Sequence, residues 1–212
     1  APDPDPSLAI AGLREHWETM QIGVKPYPSC RFSHAAIDGI IDIAAPGIEA
    51  SKIAEINIGL PRKGMDLTAL PQAFRRKPNG VVGGQFSMHF TAAVAAQTGN
   101  LSWDDYDQYL TDPITLALAQ RIDVQEDSEM DAIYPERMGG KVSIRLTDGS
   151  LETRCVEIPK GEPENFPDAK AHRSKFISLT QPVLGEQAAN LYQRLMTFSA
   201  LESVNELFLE VS

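Results

Sequence analysis

The spacing of hydrophobic and polar residues changes several times along the chain, and each change predicts a different element. Apolar residues recur at helical spacing over 34–45, which predicts a helix with one buried stripe. Polar and apolar residues alternate over 52–60, which predicts a strand. Its better-buried face is expected to carry Ala54, Ile56, Ile58 and Leu60, and its other face Ile53, Glu55, Asn57 and Gly59. An apolar run over 85–97 that closes on Gly99 predicts a second helix.

Turn and cap residues delimit further elements in the middle of the chain. Two β-rich runs, 141–146 and 151–158, flank Asp148-Gly149, and an Asp-Gly pair in this position predicts a hairpin. Residues 121–124 predict another short strand. Asp112-Pro113 is typical of a helix start, with an N-cap followed by proline at the first helical position. The middle of the chain therefore combines helices with a mostly antiparallel sheet.

Both ends of the chain are predicted to be helical. Ser7 is a candidate N-cap for a short helix over 8–19, which a short strand over 22–24 would follow. Near the other end, apolar residues recur at helical spacing over 184–198 and again over 200–209. Together with the central elements, these segments predict an α+β fold.

Composition narrows the classes of partner. Of the 212 residues, 42% are hydrophobic and 23% are charged, which is typical of a globular chain. The 19 basic residues against 29 acidic ones give a net charge of −10, which argues against nucleic acid and anionic membranes as partners. No signal-peptide pattern precedes the first helix, and the two cysteines, Cys30 and Cys155, cannot form a disulfide framework. The cytoplasm is therefore the expected compartment.

The segment 25–34 concentrates the candidate chemistry, because it holds a cation, a phenol, a thiol and an imidazole at a predicted strand-to-helix junction. Lys25 can bind a substrate carboxylate as a point charge, and His34 can exchange protons near neutral pH. Asp38 lies one helical turn after His34 and could orient the imidazole and favour its charged form. The alternative is that Tyr27 and Cys30 belong to the core and that His34 is an interior histidine with satisfied hydrogen bonds.

Other segments carry weaker signals. The basic cluster in the otherwise irregular segment 61–83 either attracts an anionic substrate or forms a solvated loop. Its members are Arg62, Lys63, Arg75, Arg76 and Lys77. The glycines of 80–84 match no phosphate-binding motif, and no spacing of histidine, cysteine and carboxylate residues predicts a metal site.

Four motifs resemble the MmgE/PrpD family and occur in that family's order over roughly residues 20–180. The first is the segment 25–34 with the Ala35-Ala36-Ile37-Asp38 that follows it. The others are Gln85-Phe86-Ser87 before an apolar helix, the Asp148-Gly149 hairpin, and Lys160-Gly161-Glu162-Pro163-Glu164-Asn165 followed by Lys175-Phe176.

The resemblance implies a large all-helical domain and a smaller α/β lid, with a site in the cleft between them. Members usually form homodimers, use no metal or organic cofactor, and act on small di- or tricarboxylic acids by proton transfer next to a carboxylate. Lys25 and His34 would be catalytic, and Lys25, Tyr27, Cys30 and Ser87 would contact the substrate. Residues 1–19 would form a linker and short helix, 20–168 the lid, and 169–212 C-terminal helices that pack on the helical domain.

Two departures from the family bear on the reaction. Cys30 stands where the decarboxylase branch has an active-site histidine, and Phe90 stands where it has a tyrosine. We therefore expect the lid part of a lyase that removes a proton next to a carboxylate with loss of water, and that is inactive without the helical domain. Its partner would be a second copy or a complementary helical half. The alternatives are a non-catalytic binding module and an epimerase or isomerase of the same family.

Overall fold

The structure, a computed structural model, describes residues 5–45 and 47–208. A four-stranded sheet has the order β2-β1-β3-β4. Its strands are β1 (Ile53–Leu60), β2 (Ile122–Glu126), β3 (Gly140–Leu146) and β4 (Leu151–Val156). Strand β1 pairs with β2 in parallel, whereas the β1–β3 and β3–β4 pairs are antiparallel. The predicted α+β class, mostly antiparallel sheet and hairpin are confirmed.

Helices occur before, between and after the strands. In the described residues they are α1 (His34–Ala44), α2 (Arg62–Gly64), α3 (Gln72–Arg75), α4 (Gly80–Gln85), α5 (Met88–Thr98), α6 (Asp105–Tyr109), α7 (Pro113–Ala119), α8 (Ser128–Ile133), α9 (Ala169–Leu184) and α10 (Gln187–Met196). Short 3-10 helices cover Pro6–Ala9, Glu18–Gln21, Arg31–Ser33, Ala50–Lys52, Pro163–Asn165, Phe198–Ala200 and Val204–Phe208, and Met65–Ala69 forms a π-helical turn.

The core lies between one face of the sheet and two central helices. Helix α1 packs on β3 and β4, and α5 packs on α1, α7 and β2. The sheet contributes alternate apolar side chains to this core, namely Ile56, Ile58, Leu60, Ile122, Val124, Val142 and Ile144. Helix α5 is buried on all sides from Met88 to Ala96, and four of its residues are alanines, which lets its neighbours approach closely.

The start of β1 departs from the simple alternation expected of it. Ile53 was assigned to the face of Glu55, but it is fully buried with Ile56. The register with β3 shifts between Ile53 and Glu55, as it does at a β-bulge. One extra residue in a strand moves the preceding side chain to the opposite face, which explains the error.

The N-terminal prediction is wrong in two respects. Instead of a helix over 8–19 capped by Ser7, the chain has a 3-10 helix over Pro6–Ala9, and the carboxylate of Asp5 accepts a hydrogen bond from the Ser7 amide at 2.9 Å. Gly12 and Arg14 both have φ of 72°, a left-handed value that interrupts a right-handed helix. The predicted strand over 22–24 is also absent, although the Val24 amide donates to the Gly161 carbonyl at 2.7 Å.

Local capping explains the other boundaries. Ser87 caps α5 by accepting a hydrogen bond from the Phe90 amide, so this helix starts three residues later than predicted, and Gly99 ends it with φ of 69°. The cap predicted at Asp112 is confirmed, because its carboxylate accepts from the Thr115 amide at 2.7 Å. The segment 61–83 is more helical than predicted, since α2, α3 and the start of α4 lie in it.

The two ends of the described chain, residues 5–22 and 169–208, are called the terminal segments below. Large apolar side chains that are more than half exposed recur in them, namely Ile10, Leu13, Trp17, Met20, Ile22, Leu179, Val183, Met196, Phe198 and Val204. Helix α9 has no buried residue and packs on α10, where the rings of Phe176 and Tyr192 lie 5.3 Å apart. The predicted helix over 200–209 is replaced by a short 3-10 helix over Val204–Phe208, and residue 209 lies outside the described residues. Among the described helices, none has the length and apolar character that crossing a membrane requires.

Candidate functional site

A small cavity opens beside the segment that leads into α1. It has a volume of about 180 Å³ and is lined by Lys25, Pro28, Ser29, Cys30, Gln85 and Phe86. The Cys30 amide donates to the Gln85 carbonyl at 2.9 Å, so this bond joins the two segments that form the walls. Two of the predicted substrate contacts, Lys25 and Cys30, are thus brought to one cavity.

Lys25 carries an uncompensated charge at this cavity. Its side chain is exposed, and its ammonium donates a hydrogen bond of 3.1 Å to the Ser29 carbonyl. Within the described part of the chain, no carboxylate forms an ion pair with it. An ammonium in this setting is suited to bind an anionic group from outside.

His34 begins α1 and is completely buried. Its Nδ1 lies 3.0 Å from a guanidinium nitrogen of Arg31, and its Nε2 lies 3.4 Å from the Ser29 carbonyl oxygen. A guanidinium only donates, so Nδ1 accepts and the ring proton sits on Nε2, from where it donates to Ser29. Burial, and then the nearby positive charge of Arg31, lower the pKa of His34 to about 3, so the ring is neutral at physiological pH.

Asp38 bonds to other groups than the histidine that it was expected to orient. The Tyr27 hydroxyl donates to Asp38 Oδ1 at 2.6 Å, and the Lys160 amide donates to Oδ2 at 2.6 Å. Burial raises the pKa of Asp38, and burial with the adjacent carboxylate raises the pKa of Tyr27. The expectation that Asp38 orients His34 and favours its charged form is therefore wrong, and Tyr27 lies in the core with its hydroxyl bonded to Asp38.

Two residues that were not singled out hold this region together. Arg31 Nε donates to Glu162 Oε1 at 2.8 Å, while a second nitrogen of the same guanidinium faces His34. A continuous chain of contacts thus runs from Glu162 through Arg31 and His34 to the Ser29 carbonyl. The same carbonyl accepts the hydrogen bond from the Lys25 ammonium. Both residues lie inside motifs on which the family resemblance rests, but their partnership spans 131 residues and no local pattern announces it.

The loop after β4 supports the same segment from the other side. The Gly161 carbonyl accepts from the Val24 amide, and the α-carbon of Gly161 lies so close to the Val24 carbonyl and to Pro26 that a Cβ there would overlap them. Gly161 also has φ of 89°, which L side chains rarely adopt. The loop therefore requires glycine at this position.

Ser87 lies just beyond the cavity wall. Its hydroxyl donates to the Arg75 carbonyl and accepts from the Phe90 amide at 3.0 Å, and its side chain is buried. As an acceptor the hydroxyl caps α5, and as a donor it ties this helix start to the end of α3, so both of its hydrogen-bonding roles are used. Phe90 lies in the core, with its ring 5.7 Å from that of Tyr106.

The basic cluster is tied partly to the protein itself. Arg75 donates to the Leu70 carbonyl, and Arg76 donates to the Ile122 carbonyl and to Gln72. Gln72 also bonds to the buried His89, whose pKa is lowered to about 4 by burial and by Arg76. No group of three potential metal ligands occurs among the described residues.

Larger cavities of about 290, 460 and 600 Å³ lie elsewhere on the molecule. None of these three is lined by a residue of the segment 25–34. The small cavity is preferred as the candidate site because it combines a cation without a counterion and a thiol on one wall.

Comparison with known proteins gives one family. The sequence model of one protein family, the MmgE/PrpD C-terminal domain, matches residues 27–197. A cis-aconitate decarboxylase of Aspergillus terreus is 26% identical over 171 residues, which cover 76% of this chain and 34% of that protein. A second protein of that name, from Aspergillus terreus strain NIH 2624 / FGSC A1156, is 24% identical over 169 residues with the same coverage. The matched region is thus about a third of the length of these relatives, 34%.

Proposed function

This chain belongs to the MmgE/PrpD family, and on that premise we propose that it is the C-terminal part of a lyase that acts on small di- or tricarboxylic acids. In the proposed reaction a base removes a proton next to a carboxylate. The electron pair left behind forms a carbon–carbon double bond as hydroxide departs from the neighbouring carbon and is protonated to water. Lys25 binds the carboxylate and so stabilises the negative charge that develops on it.

The observation that carries this proposal is the exposed Lys25 ammonium at the cavity wall, with no carboxylate paired to it among the described residues. Cys30 lines the same cavity and in this proposal contacts the bound acid. His34 contacts the site only through its hydrogen bond to the Ser29 carbonyl. We therefore assign it to positioning and not to proton transfer. Tyr27 and Ser87 are likewise assigned to positioning. The Tyr27 hydroxyl holds the Asp38 carboxylate in place, and Ser87 caps α5 directly after the cavity residues Gln85 and Phe86.

The lining of the cavity supports the further proposal that the base lies elsewhere in the complete enzyme. Its titratable lining residues are Lys25 and Cys30, whereas His34 is buried and neutral. We propose that an all-helical part covers the open side of this cavity and supplies the base, and that the chain is inactive alone. In this arrangement 1–19 is a linker and short helix, 20–168 is the lid, and 169–212 packs on the helical part.

Decarboxylation is the second candidate reaction, because the two similar Aspergillus proteins are named cis-aconitate decarboxylases. Cys30 and Phe90 weigh against it, since they replace a histidine and a tyrosine of the decarboxylase branch. Phe90 is moreover buried against Tyr106 and does not line the cavity. The proposed enzyme works in the cytoplasm without a metal or organic cofactor, as a homo-oligomer or with a complementary helical half.

The test compares the complete gene product with the 212-residue chain on a panel of hydroxylated and unsaturated di- and tricarboxylic acids. Formation of the conjugated double bond, followed by ultraviolet absorbance, reports dehydration, and released carbon dioxide reports decarboxylation. Lys25→Met in the complete protein should reduce kcat/KM about tenfold or more, the effect of losing a charged hydrogen bond. Lys52→Met, which removes an exposed lysine just before β1 and outside the terminal segments, is the matched control.

Four outcomes would contradict the proposal. Unchanged turnover in Lys25→Met would remove Lys25 from the site. Turnover by the chain alone would show that no helical part is required. Binding of an acid by the complete protein without any product would favour the non-catalytic module instead, and inversion of a stereocentre without loss of water would favour the epimerase.

A further inference from the structure

We infer that Lys175 is a positioning residue for Lys25, and that it links the C-terminal helix α9 to the candidate site. Its ammonium donates a hydrogen bond of 2.6 Å to the main-chain carbonyl of Lys25. The importance of this contact for catalysis rests on the proposed function, but the contact itself does not. It joins two segments that are 150 residues apart in sequence.

The environment of Lys175 differs from that of an ordinary surface lysine. Its side chain is partly buried, whereas Lys170 on the same helix is exposed. Removal from solvent lowers the pKa of Lys175. Within the described residues no carboxylate pairs with it, and the Lys25 carbonyl is its hydrogen-bond acceptor. Breaking the hydrogen bond of a partly desolvated ammonium costs more than breaking that of an exposed one. The bond therefore holds both the Lys175 ammonium and the Lys25 carbonyl in place.

Among the described residues, the main chain of Lys25 itself has no hydrogen bond other than the one from Lys175. The segment is not part of a strand, and Pro26 and Pro28 have no amide hydrogen to donate. Hydrogen bonds from Val24 to the Gly161 carbonyl and from Cys30 to the Gln85 carbonyl secure its two ends. Between those ends, the Tyr106 hydroxyl donates to the Pro28 carbonyl at 2.8 Å, and Lys175 holds the peptide from which the Lys25 side chain departs.

Helix α9 can serve as a support because its next residue is anchored. The Phe176 ring packs on Tyr192 of α10, with ring centroids 5.3 Å apart. Further along the same helix, Leu179 and Val183 are 51% and 84% exposed. Anything that packs on α9 and shifts it would therefore move the Lys175 ammonium and, through it, the main chain at Lys25.

Amide hydrogen exchange on the 212-residue chain tests this inference without any substrate. In Lys175→Met, we expect exchange in the peptide that covers residues 22–33 to accelerate about fivefold or more, because one hydrogen bond from a charged donor is lost. Exchange within α9 itself should stay as in the unmodified chain. Lys175→Arg should restore slow exchange, since it keeps a donor of similar reach, and Lys170→Met should change nothing.

Equal exchange over 22–33 in Lys175→Met and Lys170→Met would overturn the inference. Faster exchange throughout α9 would also overturn it, because Lys175 would then stabilise its own helix and not the site. In the complete protein, Lys175→Met should raise KM for the carboxylic acid while Lys175→Arg keeps it near the unmodified value. If the unmodified protein turns over no acid, the proposed function fails and the exchange result still decides the role of Lys175.

Discussion

The sheet with its covering helices, residues 24–165, and the terminal segments, 5–22 and 169–208, use apolar residues in opposite ways. Phe90 in α5 is fully buried, whereas Phe198 near the end of the chain is 64% exposed. Burying apolar area stabilises a fold by about 25 cal/mol per Å². The exposed apolar residues of the terminal segments do not contribute this stabilisation, whereas the buried ones of the core do. The first region completes its own core. The second presents a surface that suits the proposed packing against a helical part.

Truncating a phenylalanine in each region tests this difference most directly. Phe90→Ala should lower the free energy of unfolding by about 3–5 kcal/mol, because it leaves a cavity in a closely packed core. Phe198→Ala should change it by less than about 0.5 kcal/mol. Urea unfolding of the 212-residue chain measures both values. A large loss for Phe198→Ala would show that the terminal segment is already packed in the isolated chain.

Acid should act on the core through its two buried histidines. The pKa values of His34 and His89 are lowered to about 3 and about 4. The unfolded chain therefore binds more protons than the folded chain between those values and about 6.5, and stability falls as the pH is lowered through that window. Between pH 7 and pH 5 the expected loss is about 2 kcal/mol for each histidine.

The variant His89→Gln isolates one of these contributions. It should flatten the dependence of the unfolding free energy on pH, whatever its effect on stability at pH 7. The raised pKa of Asp38 acts in the opposite direction, because protonation of that buried carboxyl favours the folded state. An unchanged pH dependence in His89→Gln would mean that this ring is accessible to solvent.

A smaller effect should follow from removing one buried hydroxyl. Tyr27→Phe keeps the ring but takes a donor from the Asp38 carboxylate, and should cost about 1–2 kcal/mol in thermal or urea unfolding. Tyr109→Phe is the control, since Tyr109 is partly buried and its hydroxyl forms no hydrogen bond with another described residue. Equal stability of the two variants would show that the Tyr27–Asp38 bond adds nothing beyond packing of the ring.

Sequence periodicity predicted the parts of the fold that local rules govern. Helix α1, the central strand β1 and the β3–β4 hairpin follow from spacing and from an Asp-Gly turn. The N-terminal helix failed because Gly12 and Arg14 adopt left-handed backbone angles, and hydrophobic spacing does not reveal such angles. The bulge beside Ile53 escaped for a similar reason, since a single inserted residue leaves the pattern almost intact.

The candidate site was predictable in its residue types and not in its partnerships. Lys25 and Cys30 were identified together, and the structure places both at one cavity. The neutral state of His34 depends on burial and on the cation of Arg31, which spacing along the chain does not show. The Arg31–Glu162 and Lys175–Lys25 contacts join distant segments, so only the folded chain reveals them.

The tight approach of Gly161 to Val24 and Pro26 has a consequence for how this protein can diverge. Gly161 carries no reactive group and does not line the cavity, so neither its chemistry nor its place would suggest a role in the site. Yet any larger side chain would push apart the two main chains that meet there and displace the stretch that leads into Lys25. The position therefore has to stay glycine, although it lies more than 130 residues along the chain from the stretch that it supports.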